Sequence, residues 1–182
     1  MEKTSWASST ATYSGKRRES MSEDTILREH IRDLLEGKGA HMNFDEAVAN
    51  FPLEHINTRP PNVSYTPWHL LEHIRIAQRD ILDFMRGTDY VELAWPAEYW
   101  PAEDEQADRA RWEKTLHGFR ADLQELLQMA ADPKLDLYQK IPHGSGQTML
   151  REFLVVADHN AYHIGEFAIL RQVMGTWTSE RS

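Results

Sequence analysis

Four long segments carry apolar residues at the three-to-four-residue spacing of an amphipathic helix, and this periodicity limits what the chain can fold into. Helix-start and helix-stop residues bound the segments, such as Ser22 before the first and Gly175 after the last. No strand pattern competes with them beyond a possible short extended piece at 135–141. The pattern predicts an all-α four-helix bundle with long helices at 22–36, 66–86, 103–131 and 147–174, and a short one at 43–50.

The length of 182 residues fits one domain, because chains divide into separate cores only beyond roughly 250 residues. We expect that domain to span residues 21–177, with a short tail at 178–182. Residues 1–20 are rich in Ser, Thr, Lys and Arg and contain no apolar run, so they are interpreted as a flexible leader. Since this leader lacks the apolar centre of a secretory signal, a cytoplasmic location is expected.

Composition excludes several kinds of site and partner. The chain has no cysteine, which rules out a disulfide framework, a cysteine-ligated zinc or iron–sulfur site and a thiol nucleophile of its own. Its 29 acidic residues exceed its 20 Lys and Arg residues, which argues against nucleic acid and anionic membranes as partners. The nine histidines remain as the unusual feature.

Two pairs of histidines are spaced four residues apart, whereas chance predicts about 0.4 such pairs. They are His69 with His73 in the second helical segment, and His159 with His163 in the fourth. Residues four apart lie on one face of a helix, so two imidazoles can reach one cation.

The helical wheel of the fourth segment places His159, His163 and Glu166 in the middle of its apolar face, which also includes Val173. Buried polar groups left unpaired cost about 1–3 kcal/mol each, so these three require a metal or hydrogen-bond partners. Tyr162 lies near the same face, where it either hydrogen-bonds a ligand or packs in the core. The opposite side is polar and carries residues Asp158, Gly165, Arg171 and Gln172.

In the second segment, His73 lies at the edge of the apolar arc, and His69 lies further toward the polar side. His73 is therefore the better third ligand, whereas His69 could cap the site, donate to a neighbouring group or be solvated. His143 lies in a glycine-rich loop that could fold over the mouth of the bundle. The loop at 90–101, with its prolines and aromatic residues, could line a substrate pocket or pack a dimer face.

Three neutral imidazoles suit zinc, nickel, copper or ferrous iron. Only three protein ligands would leave a coordination position for water or substrate, which is typical of catalytic rather than structural zinc sites. Glu166 is the candidate catalytic residue, because it could orient a histidine or accept a proton.

The two histidine motifs, PWHLLEH at 67–73 and DHNAYHIG at 158–165, resemble those of the DinB/YfiT-like superfamily of metal-dependent enzymes. The resemblance extends over about residues 22–177. It implies a bundle of up-down-down-up connectivity, often homodimeric, with a divalent metal (zinc, nickel or iron) bound by His73, His159 and His163. His69 has no place in that triad.

The resemblance also implies a reaction. Some relatives are thiol S-transferases that use bacillithiol, mycothiol or glutathione, and others are thiol-dependent isomerases. We therefore expect a transferase acting on small-molecule electrophiles, with a low-molecular-weight thiol as cofactor. The alternatives are a metal-dependent hydrolase and a non-enzymatic metal- or ligand-binding stress protein, in which Glu166 or His69 would complete the coordination.

Overall fold

The computed structural model describes residues 22–87 and 89–177, and within these ranges the chain forms five α-helices and no β-strand. The expected leader and tail lie outside the described residues. The expected extended piece at 135–141 is reduced to one isolated antiparallel bridge between Lys140 and Thr148. The all-α class predicted from periodicity is confirmed, with helices α1 (Glu23–Leu35), α2 (Phe44–Val48), α3 (Pro67–Arg86), α4 (Arg109–Ala131) and α5 (Met149–Met174).

Side-chain caps fix where the helices begin. The Thr66 hydroxyl accepts a hydrogen bond from the His69 backbone N–H, and Pro67 occupies the first helical position of α3, where its missing N–H costs nothing. The helix ends at Gly87, whose φ of 87° is the left-handed conformation that glycine adopts most readily. These local signals explain why the bounds predicted for the helix at 66–86 agree closely with the structure.

The start predicted for the third long helix is wrong by six residues. The structure begins α4 at Arg109, with Asp108 as its cap, rather than at residue 103. Upstream, the Asn57 side chain donates to the carbonyl of Ala107 and accepts from its N–H, so distant contacts hold the segment out of the helix. Periodicity within the segment carries no information about such a bond.

The long helices pack so that α1 and α3 each contact both α4 and α5. Two groups of buried apolar side chains form the core, one around Trp68, Phe119 and Phe167 and the other around Leu82 and Phe153. This packing brings together α3 and α5, the two helices that carry the paired histidines.

The wheel of α5 misplaces the apolar face, because His159, His163 and Glu166, expected in its middle, are only half-buried.

Two other wheel assignments on α5 are also wrong. Arg171, expected on the polar side, is only 1% exposed, and its guanidinium donates to the carbonyls of Ala47, Ala49 and Thr176. The short helix α2 packs against α5 and its C-terminal carbonyls meet this arginine, which is a contact that the wheel of α5 cannot reveal. Val173, expected inward, is 59% exposed.

Across the described residues, the structure contains no helix whose length and apolar character would let it span a membrane.

Candidate metal centre

The imidazoles of His73, His159 and His163 converge between α3 and α5. Nε2 of His73 lies 3.3 Å from Nε2 of His163 and 3.3 Å from Nε2 of His159. One nitrogen from each of the three rings lies within 4.8 Å of the others. The structure therefore brings together the three histidines that the sequence selects as ligands.

In two of these rings, the nitrogen that points away from the cluster donates a hydrogen bond. Nδ1–H of His73 donates to the carbonyl of Tyr99 at 2.8 Å, and Nδ1–H of His163 donates to a carboxylate oxygen of Glu166 at 2.6 Å. A proton on Nδ1 leaves the lone pair on Nε2, the nitrogen that faces the cluster. Trp100 fixes the plane of His73 by stacking on it, with ring centroids 3.9 Å apart and an angle of 4° between the rings.

Glu166 joins His163 to Tyr65. Its second carboxylate oxygen accepts a short hydrogen bond from the Tyr65 hydroxyl. The bond from His163, and then that from Tyr65, lowers the pKa of Glu166 against the opposing effect of burial. Burial and the bond to this carboxylate raise the pKa of Tyr65. Glu166 is thus an ionised carboxylate hydrogen-bonded to His163.

Burial keeps two of the imidazoles neutral. It is the main cause that lowers the pKa of His159 to about 4, with smaller contributions from His163 and His73. Burial likewise lowers the pKa of His73. A neutral imidazole is the form that binds a metal, so these rings need little deprotonation to serve as ligands.

The donor set fits a divalent ion. Because Nδ1 carries the proton in His73 and His163, their Nε2 lone pairs face each other and repel, and a cation between them removes that repulsion. Two imidazole nitrogens bound tetrahedrally at about 2.0–2.1 Å from zinc lie about 3.3 Å apart, close to the separations from His73 to each of its neighbours. His159 and His163 are only half-buried, so one side of the cluster is accessible from solvent.

His69 is buried away from this cluster, which corrects its expected position toward the polar side of the helix. It is 3% exposed, and its Nε2–H donates to the carbonyl of Glu105 at 2.8 Å. Of the roles considered for it, solvation is therefore wrong. The segment before α4, which the sequence assigned to helix, instead covers this histidine.

Two other residues also differ from expectation. Tyr162 is 70% exposed, so its interpretation as a core residue is wrong, and it contacts the His163 ring edge-on with centroids 4.8 Å apart. His143 packs against Phe84, which lies eleven residues beyond His73, roughly 16 Å along the helix axis. The loop of His143 therefore lies near the far end of α3 rather than over the histidine cluster.

Sequence reasoning missed Tyr65 and the specific roles of Tyr99 and Trp100. All three lie outside the long helices, in connections where no periodicity marks an inward residue. The aromatic content of the loop at 90–101 was the only signal for the last two.

A family model described as the DinB superfamily matches residues 37–167, well over half of the chain. The match includes all three clustered histidines and Glu166. Neither the curated proteins nor the solved structures contain a match to the chain.

Proposed function

This chain belongs to the DinB superfamily, and from that membership and its histidine cluster we propose that it is a metal-dependent enzyme. The proposed ligands are His73, His159 and His163, and the proposed ion is zinc, nickel or iron. The observation that carries the proposal is the convergence of three Nε2 atoms, two of them 3.3 Å from the third.

The surroundings of the ligands favour an open site over a structural one. A structural role would need further protein ligands, and His69 and Glu166 were the candidates. His69 instead bonds the Glu105 carbonyl, and the oxygens of Glu166 are engaged by His163 and Tyr65. Three protein ligands leave at least one position for an exogenous molecule, as in catalytic zinc sites.

The chemistry supplied by a bound divalent ion is Lewis acidity, which lowers the pKa of a coordinated water or thiol and makes it a nucleophile. The protein orients the ligands: the Tyr99 carbonyl holds His73, and Glu166 holds His163. Trp100 covers the His73 ring and keeps water from that face. The Tyr65 hydroxyl donates a hydrogen bond to Glu166 beside the site.

We propose that the nucleophile is a low-molecular-weight thiol and that the reaction is S-transfer to a small electrophile. A sulfur–carbon bond forms, the bond to the leaving group breaks, and the thiol proton passes to solvent. The chain contains no cysteine, so any thiol in this chemistry comes from a bound small molecule. Hydrolysis by activated water at the same site is the alternative.

The first test is metal content. The purified protein is expected to hold about one equivalent of a divalent metal per chain, and His159→Ala is expected to lose it because two ligands bind far more weakly than three. His117→Ala is the matched control, since that histidine is exposed on α4. A parent protein that takes up no metal when offered zinc, nickel or ferrous iron contradicts the proposal.

The second test is thiol dependence. Glutathione, bacillithiol and mycothiol are offered separately with 1-chloro-2,4-dinitrobenzene, and chloride release is followed. Turnover is expected with at least one thiol, in the parent and His117→Ala proteins but not in His159→Ala. Ester or amide hydrolysis without any thiol would instead assign the hydrolase reaction.

We also propose the up-down-down-up connectivity. Two ion pairs join α3 to α4, Arg79 with Asp122 and Arg86 with Glu125. The partners advance along both helices in the same direction, which supports a parallel arrangement of α3 and α4. The contacts of α3 with α5 run in opposite order, because His73 meets His163 whereas Gln78, further along α3, meets the earlier Asn160. This order supports an antiparallel pair.

The proposed assembly is a cytoplasmic homodimer. Exposed apolar side chains on α5, Ile169 and Val173, offer a surface for a second copy. The absence of cysteine suits a reducing compartment. Sedimentation equilibrium is expected to give twice the chain mass of 21.2 kDa, and cell fractionation tests the location.

A further inference from the structure

Two carboxylates lie seven residues from two of the clustered histidines. Asp80 follows His73 by seven positions on α3, and Glu152 precedes His159 by seven on α5. Seven residues make almost two full turns, so each carboxylate lies on the same helix face as its histidine, about 10 Å along the axis. The facing sides of α3 and α5 therefore carry an acidic region beyond the histidine cluster.

A cavity of about 500 Å³ opens at this acidic region, and both Asp80 and Glu152 line it. Three rings form part of its wall. The Phe84 ring lies 5.2 Å from that of Tyr90 and 4.9 Å from that of His143, and the last two are 5.8 Å apart. The cavity thus combines aromatic surface with carboxylates.

The charges around this cavity are unbalanced. Glu152 is paired with Arg151 at 2.5 Å, which accounts for the one arginine in the lining. Asp80 and Glu92 also line the cavity, and among the described residues neither forms an ion pair. Burial, followed by the charge of Asp80 and a hydrogen bond to it and then by the charges of Glu92 and Glu152, raises the pKa of Tyr90 to about 12.

Tyr99 connects the cavity to the histidine cluster. Its carbonyl accepts from His73 and its hydroxyl donates to Asp80 at 2.6 Å. One residue thereby fixes both a proposed metal ligand and a carboxylate of the cavity, so the two sites keep a constant separation.

We propose that the cavity formed by Asp80, Phe84, Tyr90, Glu92, His143 and Glu152 binds the ammonium end of a small organic cation. Ammonium groups are attracted to aromatic faces and to uncompensated carboxylates. The next step rests on the proposed function. The cation is one end of the substrate, and the reacting group of the substrate lies about 10 Å away at the histidines.

Choline is the first probe, with 3,3-dimethyl-1-butanol as its neutral counterpart of nearly the same shape. In NMR titrations, choline is expected to shift the resonances of residues lining the cavity, and the neutral alcohol is not. Equal binding of both, or of neither, overturns the cation site. The titration uses both the metal-free and the zinc-loaded full chain, so it does not depend on the metal proposal.

Two variants test the lining. Glu92→Gln removes an exposed charge without disturbing a packed side chain, and is expected to weaken choline binding several-fold. Tyr90→Leu removes a ring and is expected to weaken choline binding about tenfold, which is within the range of a cation–π contact. Glu113→Gln makes the same charge change on the exposed surface of α4 and should leave binding unchanged. Equal binding in Glu92→Gln and Glu113→Gln overturns the electrostatic argument.

The link to the histidines is tested with ω-mercaptoalkyl-trimethylammonium ions of increasing chain length on the cobalt-substituted protein. A thiolate–cobalt absorption band reports the sulfur end. Affinity is expected to rise by at least tenfold over the matching neutral thiol only once the chain spans about 10 Å. Choline binding without this length dependence overturns the proposed link between the cavity and the histidines but leaves the cation site. Failure to bind cobalt at all, with choline binding intact, rejects the proposed function and leaves the cation site.

Discussion

At the scale of single residues, the proposed metal centre depends on the groups that hold Nδ1 of His73 and of His163. A ligand histidine whose other nitrogen donates to a carboxylate is more basic and has a fixed orientation. His163 has such a partner in Glu166, whereas His73 has the weaker carbonyl of Tyr99. The Tyr65 hydroxyl further restrains Glu166. A substitution of Glu166 therefore removes a held acceptor of His163 that no other residue of the site replaces.

Glu166→Gln is expected to weaken zinc binding about 10–100-fold, the usual effect of changing a partner of a metal ligand. The amide oxygen can still accept from His163, but it lacks the charge that increases the basicity of the ring. Competition with a chromophoric chelator measures the affinity. Asp158→Asn, on the same helix but exposed, is the control and should bind as the parent does. Unchanged affinity in Glu166→Gln contradicts the role assigned to this carboxylate.

At the scale of helices, buried arginines join elements that apolar packing alone would leave loosely connected. Arg28 of α1 donates to the carbonyls of Ala130, Asp132 and Leu135 at distances of 2.6 to 3.2 Å. These carbonyls lie at and beyond the end of α4, where a helix has no partners of its own for them. Arg28 thus closes the C-terminal end of α4 and attaches α1 to it.

Arg28→Met keeps most of the apolar stem but removes these bonds, and is expected to lower the free energy of unfolding by about 2–4 kcal/mol. Arg32→Met on the exposed side of α1 should change it by less than about 0.5 kcal/mol. Urea denaturation followed by circular dichroism gives both values. Equal stability of the two variants would mean that the three carbonyls are satisfied by water after the substitution.

At the scale of the whole molecule, the site joins two helices that are far apart in sequence. His73 and His163 are separated by 90 positions, so a metal that binds them favours the folded chain over the unfolded one. The loop residue Trp100 adds a third element by stacking on His73. Metal affinity and global stability are therefore linked.

Zinc at about 100 times its dissociation constant is expected to add about 2.7 kcal/mol to stability. For a chain of this size that raises Tm by roughly 5–10 °C, measured by calorimetry with and without zinc. His73→Ala should lose the shift, and His117→Ala should retain it. A full shift in His73→Ala would place the stabilising zinc elsewhere in the chain.

Several features could be predicted from the sequence because they depend on residues close together along the chain. The all-α class follows from apolar spacing, and the start of α3 follows from Thr66 and Pro67. The four-residue spacing of His159 and His163 already places both on one helix face. The wheel of one helix favoured His73 over His69, although it placed His69 toward the polar side and the structure buries it.

The remaining features were decided by contacts between distant segments. Asn57 holds Ala107 and delays the start of α4, and the residues before that helix bury His69. Tyr65 becomes a partner of Glu166 only when α3 packs against α5. Local periodicity determines which face of a helix is apolar, but the loop or helix that covers a given residue depends on the path of the whole chain. The sequence by itself thus determined the helices and the three histidines, and the tertiary structure decided their hydrogen-bond partners.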